Sequence, residues 1–150
     1  MTLTQKETSL LKDLKGQEEL CIGKYGRYAN EAKAEELKCL FNELKSTEES
    51  HLQTITTMMG GTVPETPSTL KANNDCCCAA SYKSEDDRKS DAFLCSDMLS
   101  AEKHVSSTYN TSVFEFSDPS ARKMLSHIQA EEQQHGEKIY AYMNANGMYS

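Results

Sequence analysis

The sequence predicts an all-α protein, an antiparallel four-helix bundle made of two helical hairpins joined by a long crossover. Three observations predict it. Apolar residues recur at helical spacing through four segments. Turn and breaker residues separate those segments, and between the second and third they fill a long stretch. An offset of 84 residues also lays the first pair of segments onto the second, with identical residues at the positions best suited to chemistry.

The first helix opens on Thr4-x-x-Glu7, a capping-box pattern, and is expected over 4–32. Its apolar positions are Leu10, Leu11, Leu14, Cys21, Ile22, Tyr25, Tyr28 and Ala29. The second helix carries Leu37, Leu40, Phe41, Leu44, His51, Leu52, Ile55 and Met58 on one face, and Gly60-Gly61 stops it. The link between them is short, so they lie antiparallel. Pro64, Pro67, the Asn73-Asn74-Asp75 run and three consecutive cysteines mark 60–87 as the crossover. The third helix is expected over 87–114, with Phe93, Leu94, Met98, Leu99, Val105 and Tyr109 facing inward. Asp118-Pro119 supplies an N-cap followed by proline at the first helical position, and the fourth helix runs to Ala145 before Gly147. Hairpin 1 thus spans 4–59 and hairpin 2 spans 88–146 within a single domain, 1–150. Two hairpins with one long connection is the ferritin-like topology.

Composition narrows the function classes. A net charge of -7 argues against a nucleic-acid surface, which needs surplus Lys and Arg. No apolar run reaches the length of a membrane span. The start, Met1 to Glu7, has no signal-peptide core, so synthesis in the cytoplasm is expected. None of the six cysteines forms a CxxC pair. Cys21, Cys39 and Cys95 fall in helical patterns and read as small buried hydrophobes. Cys76, Cys77 and Cys78 read either as a reduced loop or as a site for cross-linking between chains or for adventitious soft-metal binding.

The repeat locates the chemistry. Glu18 maps to Glu102, Tyr25 to Tyr109, Glu48 to Glu132 and His51 to His135. Each of the four glutamates sits mid-helix within an apolar stripe, where an unpaired carboxylate is costly. In Glu-x-x-His, two side chains three residues apart share a helical face and offer an oxygen and a nitrogen ligand from one turn. Glu48/His51 and Glu132/His135, with Glu18 and Glu102, make a set of four carboxylates and two imidazoles. Its charge matches two divalent cations, with iron the first choice and manganese the second. The competing reading is a hydrogen-bonded polar layer that holds no metal. Tyr25 and Tyr109 either hydrogen-bond the ligand carboxylates or fill core volume. Glu19, Glu31, Glu49, Glu115 and Glu131 read as solvated faces, and His104 and His127 as surface residues.

Several longer strings carry a resemblance. They are Glu18-Glu19-Leu20-Cys21, Lys24-Tyr25, Tyr28-Ala29-Asn30, Glu102-Lys103-His104-Val105-Ser106-Ser107, Tyr109-Asn110, His135-Gly136-Glu137-Lys138-Ile139-Tyr140 and Asn146-Gly147-Met148-Tyr149. On these the chain resembles the Coat F family of spore coat proteins over nearly its whole length outside the crossover. That likeness implies a ferritin-like fold, a place in the spore coat, a mainly structural or coat-associated role, and other coat proteins or a second copy of the chain as partners. The wider likeness is to rubrerythrin and its di-iron relatives. It implies that Glu48 and Glu132 bridge two metals, that Glu18 and Glu102 are terminal ligands, and that His51 and His135 bind one metal each. Tyr25 and Tyr109 resemble the supporting tyrosines of that group. The alternative activity it implies is a small di-iron or di-manganese oxidoreductase or metal-holding protein acting on peroxide or dioxygen. Two departures weigh against efficient turnover: Val105 stands where rubrerythrins carry a further Glu, and no CxxC-bearing electron carrier is attached.

Overall fold

The structure is a computed structural model that describes residues 1–72 and 79–149. Four helices account for its regular structure: α1 (Gln5–Glu31), α2 (Glu35–Met59), α3 (Glu85–Glu115) and α4 (Pro119–Ala145). They form the antiparallel bundle the periodicity predicts. α1 packs on α2 and α3 on α4, and the two hairpins meet chiefly where α1 lies along α3. The three cysteines 76–78 lie outside the described residues.

Each helix start is fixed by a different device. Thr4 and Glu7 form the full capping box of α1, with Thr4 N donating to Glu7 Oε2 at 2.8 Å and Glu7 N to Thr4 Oγ1 at 3.1 Å. Ser84 caps α3 by accepting from Asp87 N, which starts that helix two residues before the expected Asp87. Asp118 accepts from Ala121 N, and Pro119 follows it. The first turn of α2 has no side-chain cap at Ala34. Asp91 of α3 does related work from across the bundle, accepting from Lys33 N at 2.8 Å and Ala34 N at 3.0 Å. Glu7 reaches the other tight turn in the same manner, accepting from Ser117 N at 3.0 Å. Glu7/Asp91 and Lys33/Ser117 are both pairs related by the 84-residue offset. The two hairpins therefore clasp each other's turns by matching contacts.

The described parts of the crossover, 60–72 and 79–84, begin and end at opposite ends of the bundle, about 38 Å apart for the 25 residues of α2. At its start Gly61, at φ 89°, accepts from the Met1 amino group beside the α1 start. Near its end Ala80 N donates to Asn146 Oδ1 below α4, and the Tyr82 hydroxyl meets Asp91 and Tyr142. Between those ends Gln134 of α4 donates to Lys71 O, which lays the strap over the α2–α4 side.

The core divides into two apolar clusters. One holds Tyr25, Leu37, Phe41, Leu44, Met98 and Ile139; the other holds Leu11, Leu14, Ile55, Tyr109, Leu125 and Ile128. A layer of buried acids and imidazoles separates them. Two sequence expectations fail at the margins of this core. Phe93 is 69% exposed, because it lies opposite the stripe formed by Asp91, Leu94, Cys95, Met98 and Glu102. Cys39 is exposed rather than buried, since Leu37, Phe41 and Leu44 define the inner face of α2 and leave it outside. Cys21 and Cys95 are buried as expected.

Candidate metal centre

The polar layer contains all six expected ligands. Glu18, Glu48, His51, Glu102, Glu132 and His135 are each at most 3% exposed. α1 and α3 each contribute one glutamate at mid-helix, and α2 and α4 each contribute a glutamate and, one turn on, a histidine. Their ligand atoms fall into two groups within 4.8 Å, Glu18/Glu48/His51/Glu132 and Glu48/Glu102/Glu132/His135. Glu48 and Glu132 belong to both. The two imidazoles stack with centroids 5.7 Å apart.

Distances show how tightly the groups converge. His51 Nδ1 lies 3.0 Å from Glu48 Oε2, 3.1 Å from Glu132 Oε1 and 3.8 Å from Glu18 Oε1. His135 Nδ1 lies 3.3 Å from Glu48 Oε1, 3.3 Å from Glu102 Oε1 and 3.2 Å from Glu132 Oε2. Tyr25 donates its hydroxyl to Glu102, and Tyr109 donates to Glu18. Both bonds cross between hairpins, so each tyrosine serves the glutamate of the opposite repeat. Both rings are also wholly buried in the apolar clusters, so the two sequence readings of these tyrosines hold together.

Four carboxylates at this depth cannot all stay ionised unaided. Burial, then the charges of Glu132 and Glu48, push the Glu18 carboxyl up to about 11. Burial and the Glu132 charge likewise raise Glu102 well above the carboxylate range. Burial would raise Glu48 too, but hydrogen bonds from His135 and His51 outweigh it and hold that group well below. Glu132 is also lowered: its burial and the Glu48 charge are outweighed by bonds from both histidines and from Glu102. Burial alone would lower His51 and His135, yet their carboxylate partners raise both well above ordinary histidine. Burial thus favours the neutral forms of Glu18 and Glu102, while the histidines favour the ionised forms of Glu48 and Glu132.

The donor set fits a pair of divalent cations on an independent observation. Oε2 of Glu18 and of Glu102 is buried and makes no hydrogen bond, while Oε2 of Glu132 has only the 3.2 Å contact with His135 Nδ1. Buried polar atoms without partners are rare and expensive, and here two lie in one layer. A set of carboxylate oxygens with imidazole nitrogens suits iron or manganese.

One functional residue escaped the sequence. Glu131 is not a solvated side chain; its Oε2 lies 2.6 Å from His51 Nε2, and its Oε1 lies 3.3 Å from His127 Nε2. His127 is correspondingly half-buried, with its side chain 11% exposed, whereas His104 is exposed as expected. Glu131 follows the core stripe of α4 at its edge, and Glu131-Glu132 reads as a surface charge pair unless the angle between α2 and α4 is known. The signal was the offset itself, because position 47 carries Thr where 131 carries Glu.

Fold and layer together define a class: an all-α bundle with a carboxylate–histidine centre shared between two hairpins. Within that class, the model of the Coat F domain matches residues 90–150 of the chain. The match covers most of α3 and all of α4, a narrower span than the resemblance read from the sequence. No curated protein and no solved structure matches the chain. Among the described residues no helix is long and apolar enough to cross a membrane.

Proposed function

We propose that this is a spore coat protein whose ferritin-like bundle holds a dinuclear metal centre and whose role is mainly structural. The Coat F domain supports the place in the coat. The observation that carries the centre is the pair of ligand groups sharing Glu48 and Glu132, with the unbonded Oε2 atoms of Glu18 and Glu102 beside them. Glu18 and His51 would complete one cation's ligands, and Glu102 and His135 the other's. Tyr25 and Tyr109 hold the two outer glutamates, and the apolar clusters above and below exclude water. In a coat protein such a centre ties four helices together across the middle of the core, and bound cations would resist unfolding by mass action.

A second reading, a small di-iron or di-manganese oxidoreductase, draws on one feature. A cavity between α3 and α4 reaches Glu102 and Glu132, so small molecules have a way in. Bound iron or manganese would supply redox chemistry toward peroxide or dioxygen there. The chain's own residues would position the cations and hold protons at Glu18 and Glu102.

The test is elemental analysis after anaerobic loading with ferrous ion, beside a metal-free control. About two irons per chain is the expected result, as in other Glu/Glu-x-x-His bundles. Absence of bound iron and of manganese would remove the centre and leave the coat role alone. Consumption of peroxide by the loaded protein would favour the second reading.

A further inference from the structure

We infer that the two cation positions are inequivalent, the one on His51 held tightly and the one on His135 weaker and exchanging through the α3–α4 groove. This rests on the dinuclear reading above. The six ligands are matched by the 84-residue offset, but their surroundings are not.

The first difference lies behind the histidines. A ligating imidazole is fixed when its second nitrogen bonds a carboxylate, which sets the tautomer and makes the ring a better donor. His51 has that partner in Glu131, at 2.6 Å from Nε2, and Glu131 is itself steadied by His127. The equivalent position behind His135 is Thr47, which carries no charge. His135 instead faces a cavity of about 640 Å³ between α2 and α4, lined also by Ser46, Thr47 and Gln134, with Glu131 on its wall.

The second difference lies at the bundle surface. A groove of about 340 Å³ between α3 and α4 is lined by Leu99, Ser106, Gly136 and Tyr140, with Glu102 and Glu132 at its inner end. Both glutamates are at least 98% buried, and Glu102 carries an unbonded Oε2. On the first hairpin the positions equivalent to Ser106 and Gly136 are Ile22 and Leu52, both half-buried. Large aliphatic side chains therefore stand in the α1–α2 groove where the α3–α4 groove has a hydroxyl and a bare backbone. Anchoring is stronger on the His51 side and access is wider on the His135 side, and both favour exchange at His135.

The experiment is calorimetric titration of the whole chain with cobalt(II), a stand-in for ferrous ion that does not oxidise, followed by release into a chelator. Two steps are expected, with dissociation constants at least about tenfold apart. Glu131→Thr should weaken the tight step by about 10–100-fold and merge the two, whereas Glu131→Asp should restore part of the gap. Thr47→Glu should tighten the weak step. Gly136→Leu should slow chelator release of the weaker cation several-fold while leaving the tight constant unchanged. The added side chain has room, since a Cβ at Gly136 meets only Leu99 Cδ1, at 3.7 Å. Far-ultraviolet circular dichroism and melting confirm that each variant is folded. Two cations of equal affinity in the unmodified chain, or an unchanged pair of constants in Glu131→Thr, overturns the inequivalence and leaves the dinuclear reading standing. No cobalt bound at all overturns both.

Discussion

The two hairpins carry the same chemistry on the inside and different surfaces around it. Glu18, Tyr25, Glu48 and His51 of the first have identical counterparts in the second, Glu102, Tyr109, Glu132 and His135. At the rim the pairs diverge: Ile22 against Ser106, Thr47 against Glu131, Leu52 against Gly136, and an uncapped Ala34 against the Asp118 cap. Each glutamate of the layer has a partner on the other hairpin, so a change on one side takes a partner from the other. Rim positions answer to no such balance. That contrast explains why repeated residues mark the centre and divergent ones mark what distinguishes its halves.

The largest break in the comparison comes from the shared carboxylates. Replacing both Glu48 and Glu132 by Ala should abolish two-metal binding, taking iron from about two per chain to none in elemental analysis. Glu18→Gln and Glu102→Gln should each remove one cation, so stoichiometry near one in both variants is the expected outcome. If either still bound two, the assignment of one outer glutamate to each cation would be wrong.

Acidity tests the balance itself. Burial raises Glu18 and Glu102, and carboxylate partners raise His51 and His135, so all four favour their protonated forms. Two divalent cations must displace those protons, so loading should release about four per chain and affinity should fall as pH is lowered. Titration in buffers of different ionisation enthalpy measures the release. A release near zero would mean the layer is already deprotonated.

Smaller effects sharpen the structural half of the comparison. Asp91→Ala removes the acceptor for Lys33 N, Ala34 N and the Tyr82 hydroxyl, and should cost about 2–3 kcal/mol in denaturant unfolding. Glu7→Ala loosens the opposite turn, but α4 keeps its own Asp118 cap, so about 1–2 kcal/mol is expected. Phe93→Ser should stay within about 0.5 kcal/mol, since the ring is exposed.

Much of this was legible in the sequence because helices convert spacing into facing. Glu18, Glu48, Glu102 and Glu132 could be placed inside from their apolar neighbours alone, and the caps at Thr4 and Asp118 announced two helix starts. What stayed hidden depends on relations between helices. Glu131 looks solvated along α4 and becomes a partner only when His51 of α2 is brought against it. Asp91 looks like one more acid in an acidic stretch until the α1–α2 turn closes over it. The Tyr25–Glu102 and Tyr109–Glu18 bonds likewise cross hairpins, a pairing that residue spacing within one helix cannot reveal. Phe93 erred in the opposite direction, its bulk suggesting burial that its angle on α3 forbids.

The crossover has a consequence for assembly. The clasps Glu7–Ser117 and Asp91–Lys33, the tyrosine bonds and the mixed acid–imidazole layer all join one hairpin to the other, and the covalent link between hairpins is the single strap 60–84. Those bonds are indifferent to whether their two hairpins belong to one chain. Two chains that traded hairpins would rebuild the same contacts twice over. The contacts that close a solitary bundle would therefore serve such an exchange equally well.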